Sequence, residues 1–84
     1  MKIGVYSLQK VLYEGDARSV NCRTAAGDVT ILDHHRPLIS ILRSGVMTIV
    51  DGNGEARYIP VSSGFLEVRN GSEAKFLIEE GANV

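Results

Sequence analysis

Apolar residues in this chain recur at every second position over short stretches, and turn-forming residues interrupt them roughly every ten residues. Ile3 and Val5 alternate with Gly4 and Tyr6, and Arg18 to Arg23 alternates again. Short apolar runs follow at 29–32, 38–42, 46–50, 58–61, 66–68 and 74–78. No stretch sustains the 3.6-residue period of an amphipathic helix beyond a turn or two. Glu14-Gly15-Asp16 reads as a bend, and Asp51-Gly52-Asn53-Gly54 and Asn70-Gly71 as hairpin turns, since glycine and asparagine tolerate positive φ. Pro37 and Pro60 belong at strand starts, edges or bulges. The expectation is an all-β antiparallel sandwich, or flattened barrel, of about eight to ten short strands, forming one domain over residues 1–84.

Two of these strands break the usual pattern. Leu38, Ile39, Ile41 and Leu42 are apolar on both faces with only Ser40 between, and Val46, Met47, Ile49 and Val50 repeat this around Thr48. A sandwich strand normally shows one face to water. Either loops cover the second face, or part of the outer surface meets another protein. A domain of 84 residues buries only about 60–65% of its unfolded-chain surface, so help from a partner is in keeping with its size.

Composition narrows the function. Nine Lys and Arg against ten Asp and Glu leave no basic patch dense enough for nucleic acid. Five aromatics and no tryptophan supply no stacking platform, which also weighs against a sugar- or peptide-binding sandwich. The one cysteine, Cys22, cannot pair within the chain and alternates with Val20 as a small buried apolar residue. The first residues are too short and polar a stretch for a signal peptide, and no apolar run is long enough to span a bilayer.

Asp33-His34-His35 is the one cluster of metal-ligand types. The same letters begin a motif of two-metal phosphoesterases, which makes a small metal-dependent phosphoesterase the alternative function. Such a site needs further carboxylates and histidines, however, and both histidines of the chain are already in this loop. Adjacent residues on an extended segment also point to opposite sides. A polar contact loop is the preferred reading. Ser62-Ser63-Gly64 lacks the helix that a nucleophile elbow requires, and Gly64 suits a bulge or tight bend. Glu79-Glu80 reads as a solvated tail.

The order of the motifs resembles one family. Lys10-Val11-Leu12-Tyr13-Glu14-Gly15 is similar to a segment of the form KVLFEG. Residues 27–38, GDVTILDHHRPL, are similar to a loop of the form GEFGILPGHAPL, Ser44-Gly45-Val46-Met47 to PGVL, and residues 61–68, VSSGFLEV, to VSGGFLEV. In this order, from about Lys2 to Ile78, they resemble the N-terminal β-sandwich of the F-type ATP synthase epsilon subunit. The resemblance implies a non-catalytic rotor subunit of the central stalk, without cofactor, metal or bound nucleotide. It would bind the gamma subunit and the polar loops of the c-ring, coupling proton (or sodium) flow to ATP synthesis. It would sit peripherally on the cytoplasmic side of a bacterial membrane, with no insertion into it.

By the same resemblance, His35, Pro37, Leu38, Ile39, Ser40, Ile41 and Leu42 would face gamma, and Asp28, Thr30, Asp33, His34 and Arg36 would meet the c-ring. Thr30 stands where the family commonly has glycine, Asp33-His34 where it has Pro-Gly, and Arg36 where it has alanine. The loop is therefore more charged and less glycine-flexible than usual. The helical hairpin that follows the sandwich in full-size members, and inhibits ATP hydrolysis in many, is expected to be absent, since the chain stops at Val84.

Overall fold

Two strands are far longer than the rest, and their bends create the architecture. The computed structural model describes residues 1–69 and 72–81. It has seven strands: β1 Lys2–Tyr6, β2 Val11–Thr24, β3 Gly27–Leu32, β4 Leu38–Leu42, β5 Gly45–Asp51, β6 Ala56–Arg69 and β7 Glu73–Glu80. No helix forms among the described residues, and so none long and apolar enough to cross a membrane. The Asn70-Gly71 turn lies outside the described residues.

β2 and β6, of 14 residues each, serve both layers of the sandwich. The first half of β2 pairs with β1, and its second half lies between β3 and β5. The start of β6 pairs with β5, and its end lies between β4 and β7. One layer is therefore β3-β2-β5-β6 and the other β2-β1-β7-β6-β4. Since two strands serve twice, the seven stand in for the larger number of short strands that the turn spacing suggests.

The bends have local causes. Gly15 sits inside β2 at φ 146°, a conformation that side chains resist, so the predicted bend is a kink within a continuous strand. β6 bends at a register shift between Val61 and Ser63. At Gly64 a Cβ would lie 2.5 Å from the Leu77 carbonyl oxygen and 2.9 Å from the Ile78 Cα, so only glycine lets β6 and β7 approach this closely. Pro60 lies just before this bulge, and Pro37 immediately before β4.

Every pairing among the described residues is antiparallel except one. β1 and β7 run parallel, from Lys2↔Glu73 to Tyr6↔Leu77. The sandwich is the expected one with a single parallel pair in it, since alternation tells which face of a strand is buried, not the direction of the neighbour it meets.

The core follows the alternation. Val5, Val20, Ile31, Leu42, Met47, Ile49, Leu66 and Phe76 are its largest fully buried side chains, each contributing about 1.5–3 kcal/mol of transfer free energy. Cys22 lies among them, and burial pushes its thiol pKa up to about 11, the setting of an inert packing residue. The two buried polar side chains are satisfied. The Thr24 hydroxyl donates to the Gly27 carbonyl at 2.9 Å, and the Asp51 carboxylate accepts from the Asn53 and Glu55 amides at 2.9 and 3.0 Å.

Candidate partner-binding face

In β4 the two apolar faces separate. Leu38, Ser40 and Leu42 point inward, and Ile39 and Ile41 point out, 71% and 54% exposed. No loop among the described residues covers them, so the outer face of this strand is an open apolar surface.

Cross-strand register extends that surface. Ile41 pairs with Phe65 on β6, Phe65 with Leu77 on β7, Leu77 with Tyr6 on β1, and Tyr6 with Val11 on β2. These five residues form one row across the whole second layer. Phe65, Leu77 and Val11 are 55%, 52% and 56% exposed, and Tyr6 is half-buried. Neighbouring residues in such a row have Cβ atoms about 5 Å apart, so the row is a continuous apolar stripe. A shallow groove beside it is lined by Tyr6, Ile39, Phe65, Glu67, Lys75 and Leu77. The Tyr6 ring lies over Gly4, where a Cβ would collide with it, and its hydroxyl donates to the Glu14 carboxylate at 3.0 Å. That bond raises the tyrosine pKa and holds the ring over Gly4, toward the adjoining row.

The next row toward the β3–β4 loop is mixed: Ile39 pairs with Glu67, and Glu67 with Lys75. Beyond it lies the loop itself. The His35 amide donates to the Leu32 carbonyl at 3.1 Å, which closes a turn with Asp33 and His34 at its centre. His34 adopts φ 62°, the left-handed conformation that non-glycine residues seldom take. The Asp33 carboxylate sits 3.9 Å from the N-terminal ammonium and 3.7 Å from the His34 imidazole. A hydrogen bond from the Ser72 side chain leads the causes that hold its pKa below the ordinary 3.8, and His34 adds to it. The loop is thus tied to the start of the chain and to the β6–β7 connection.

The predicted site residues divide accordingly. Ile39 and Ile41 lie on the open face, whereas Leu42 is 2% exposed and belongs to the core, which removes its side chain from any interface. Leu38 packs against the core, and the Ser40 hydroxyl points to the Ile41 carbonyl at 3.4 Å. Pro37 and Arg36 are exposed in the loop, and His35 is half-buried with Nδ1 2.8 Å from the Arg36 carbonyl. Asp33 and His34 share the turn, but Asp28 and Thr30 lie on β3, outside it. Asp28 pairs with Arg23 at 3.6 Å, and Thr30 accepts a hydrogen bond from the Asn21 amide at 2.9 Å on the outer face of the first layer.

His34 and His35 have different partners, and no group of three His, Cys, Asp or Glu side chains is placed to share a metal among the described residues. The hairpin at 51–54 is a folding device: the Gly54 amide donates to the Asp51 carbonyl at 3.0 Å. Glu79 and Glu80, read as a tail, are the last residues of β7, where Glu80 pairs with Lys10 at 3.6 Å.

Sequence reasoning missed Tyr6, Val11, Phe65 and Leu77. A signal existed for two of them. Phe65 occupies the polar parity of Ser63 and Glu67, and Leu77 that of Lys75 and Glu79. What no single segment shows is that these positions lie in one row.

Residues 1–80 match the family described as the ATP synthase delta/epsilon chain β-sandwich domain. The ATP synthase epsilon chain 2 of Burkholderia orbicola is 42% identical over 69 residues, covering 81% of this chain and 45% of the relative. The ATP synthase epsilon chain of Clostridium perfringens is 34% identical over 77 residues, covering 92% and 57%. The chain thus spans about half the length of the curated relatives it matches. Among solved structures, a chain of the Euglena gracilis mitochondrial ATP synthase superposes with a TM-score of 0.86 at 16% identity, covering 95% of this chain and 51% of that one. A chain of the Tetrahymena thermophila central stalk and c-ring gives 0.79 at 12%, covering 95% and 63%. At these identities the solved structures speak to the fold.

Proposed function

From the premise that this chain belongs to the family of ATP synthase delta/epsilon chain β-sandwich domains, we propose that it is a non-catalytic central-stalk subunit that docks on gamma through the outer face of its second layer. The observation that supports this reading is the unbroken row Ile41–Phe65–Leu77–Tyr6–Val11. A contiguous apolar stripe rimmed by charges is the surface expected where a protein partner sits.

The role follows from stiffness and placement. Hydrogen-bonded ladders on both layers make the domain a rigid block. Gamma would hold the block by the stripe. The turn at Asp33 and His34, with Arg36 beside it, would reach the polar loops of the c-ring, as the central-stalk and c-ring setting of the structural neighbours suggests. A rigid body held at both places obliges gamma and the ring to turn together, so that ion flow and ATP synthesis stay coupled. Ile39 and Ile41 belong to the gamma face in this reading, and Thr30 and Asp28 stand on β3 outside the turn. No step of chemistry is assigned to the domain. The site would be peripheral to the membrane, on the side where the F1 sector stands.

The test is calorimetric titration of the cognate gamma subunit with the parent chain and with Ile41→Asp. Tight binding by the parent, lost in a variant with an unchanged circular dichroism spectrum, supports the reading. Absence of binding by a folded parent, to gamma alone and to an assembled rotor, rejects it.

A further inference from the structure

The apolar stripe is flanked on one strand by charges of opposite sign. Lys75 lies two residues before Leu77 and Glu79 two after, all three exposed on the outward side of β7. Neither side chain is ion-paired among the described residues. β6 carries a similar arrangement, with Ser63 and Glu67 two residues either side of Phe65.

This pattern is self-complementary in one orientation. Place two copies face to face with the two-fold axis along the stripe. Each strand then opposes its own counterpart with direction reversed. Leu77 meets Leu77 and Phe65 meets Phe65 across the axis, Lys75 of each copy meets Glu79 of the other, and Glu67 meets the Ser63 hydroxyl. A two-fold axis along the strands would instead set Lys75 against Lys75, so the charges select the first arrangement. Strands in it remain aligned within the roughly 30° that face-to-face sheet packing prefers.

We infer that the free chain forms a weak, two-fold homodimer through this face, stripe on stripe and with paired Lys75–Glu79 contacts. Its size sets its strength. Five strands about 4.8 Å apart and three rows about 7 Å apart span about 24 by 20 Å. Such a footprint buries about 1,000 Å² over both copies, the lower end for specific interfaces and the range of transient ones. The dimer rests on the face itself. Only its corollary, that gamma and a second copy exclude one another, rests on the gamma reading.

Sedimentation velocity of this chain alone, from about 10 μM to about 1 mM, tests it without gamma. The sedimentation coefficient should rise with concentration from monomer towards dimer, and Leu77→Glu should stay monomeric throughout with its β-sheet spectrum intact. Lys75→Glu should weaken the dimer about threefold to tenfold, the scale of two exposed ion pairs, and adding Glu79→Lys should restore it. A parent monomeric at about 1 mM, a dimer indifferent to Leu77→Glu, or a charge swap that fails to restore association would each overturn the inference.

Discussion

The outer faces of the two layers are built by the same alternation and end in opposite chemistry. On the first layer Asn21 pairs with Thr30 on one side and Thr48 on the other, and Thr48 with Tyr58. Side chains there satisfy one another, as the Asn21–Thr30 hydrogen bond shows, and the apolar residues present, such as Leu32 and Val46, stand in different rows. On the second layer the equivalent row is Ile41, Phe65, Leu77, Tyr6 and Val11, of which all but the half-buried Tyr6 are more than half exposed. One face is finished and the other is not. The difference lies not in how much apolar surface each strand shows but in whether the register lines it up.

The comparison breaks most completely where the layers join. Gly64→Ala would push a methyl group against the Leu77 carbonyl, which has no flexible way to yield. Overpacking of this kind costs about 1–3 kcal/mol or more. The melting temperature should fall by about 10 °C, and both faces should be lost together, because the bend in β6 is common to them.

The next effect should separate the faces. Phe65→Asp is expected to weaken gamma binding roughly thirtyfold or more, the scale of a central interface anchor, with little change in stability. Thr48→Asp, on the first layer, should leave the titration unchanged. Equal losses from both variants would place gamma elsewhere.

Each layer also has a loop closed by a carboxylate, and the two should respond differently to acid. Asp51 holds its hairpin through the Glu55 and Asn53 amides and Arg57, and its pKa is lowered, with the Glu55 amide the largest cause. Its side chain is 7% exposed, against 52% for Asp33. A carboxylate with a depressed folded pKa stabilises above its unfolded value near 3.9, and this contribution disappears as pH falls through the lower folded value. Stability measured below about pH 4 should therefore fall less steeply in Asp51→Asn than in the parent, and Asp33→Asn should flatten the curve less than Asp51→Asn does.

The smallest effect concerns the turn beyond the stripe. His34→Gly removes the strain of a left-handed histidine, worth about 1–2 kcal/mol, but loosens the unfolded chain by about 0.4–1 kcal/mol. The net gain should be about 0.5–1 kcal/mol, a rise of a few degrees in the melting temperature. Gamma binding should not change, since the turn lies outside the stripe.

Much of this was legible from the chain. Val20 and Cys22 share the buried face that alternation gives them, and Asp51-Gly52-Asn53-Gly54 marks its hairpin through turn chemistry, whereas Met47 and Ile49 stand in a run whose parity alternation does not reveal. The double-sided character of residues 38–42 leaves open whether loops or another protein cover the second face, and Ile39 and Ile41 on that face are exposed. Leu42 packs in the core, because a run with four apolar residues out of five does not reveal which parity faces inward. The resemblance groups Asp28 and Thr30 with Asp33, His34 and Arg36, and the structure sets these two on β3 before the turn.

By itself the sequence determined the strand class, the main turns, the parity of most strands and the family, because these depend on residues within about ten positions of one another. Only the tertiary structure decided which strands are neighbours, that β1 and β7 run parallel, and that five residues as far apart in sequence as Tyr6 and Leu77 form one stripe. Register between distant strands is set when the whole core packs at once, and no local pattern carries it.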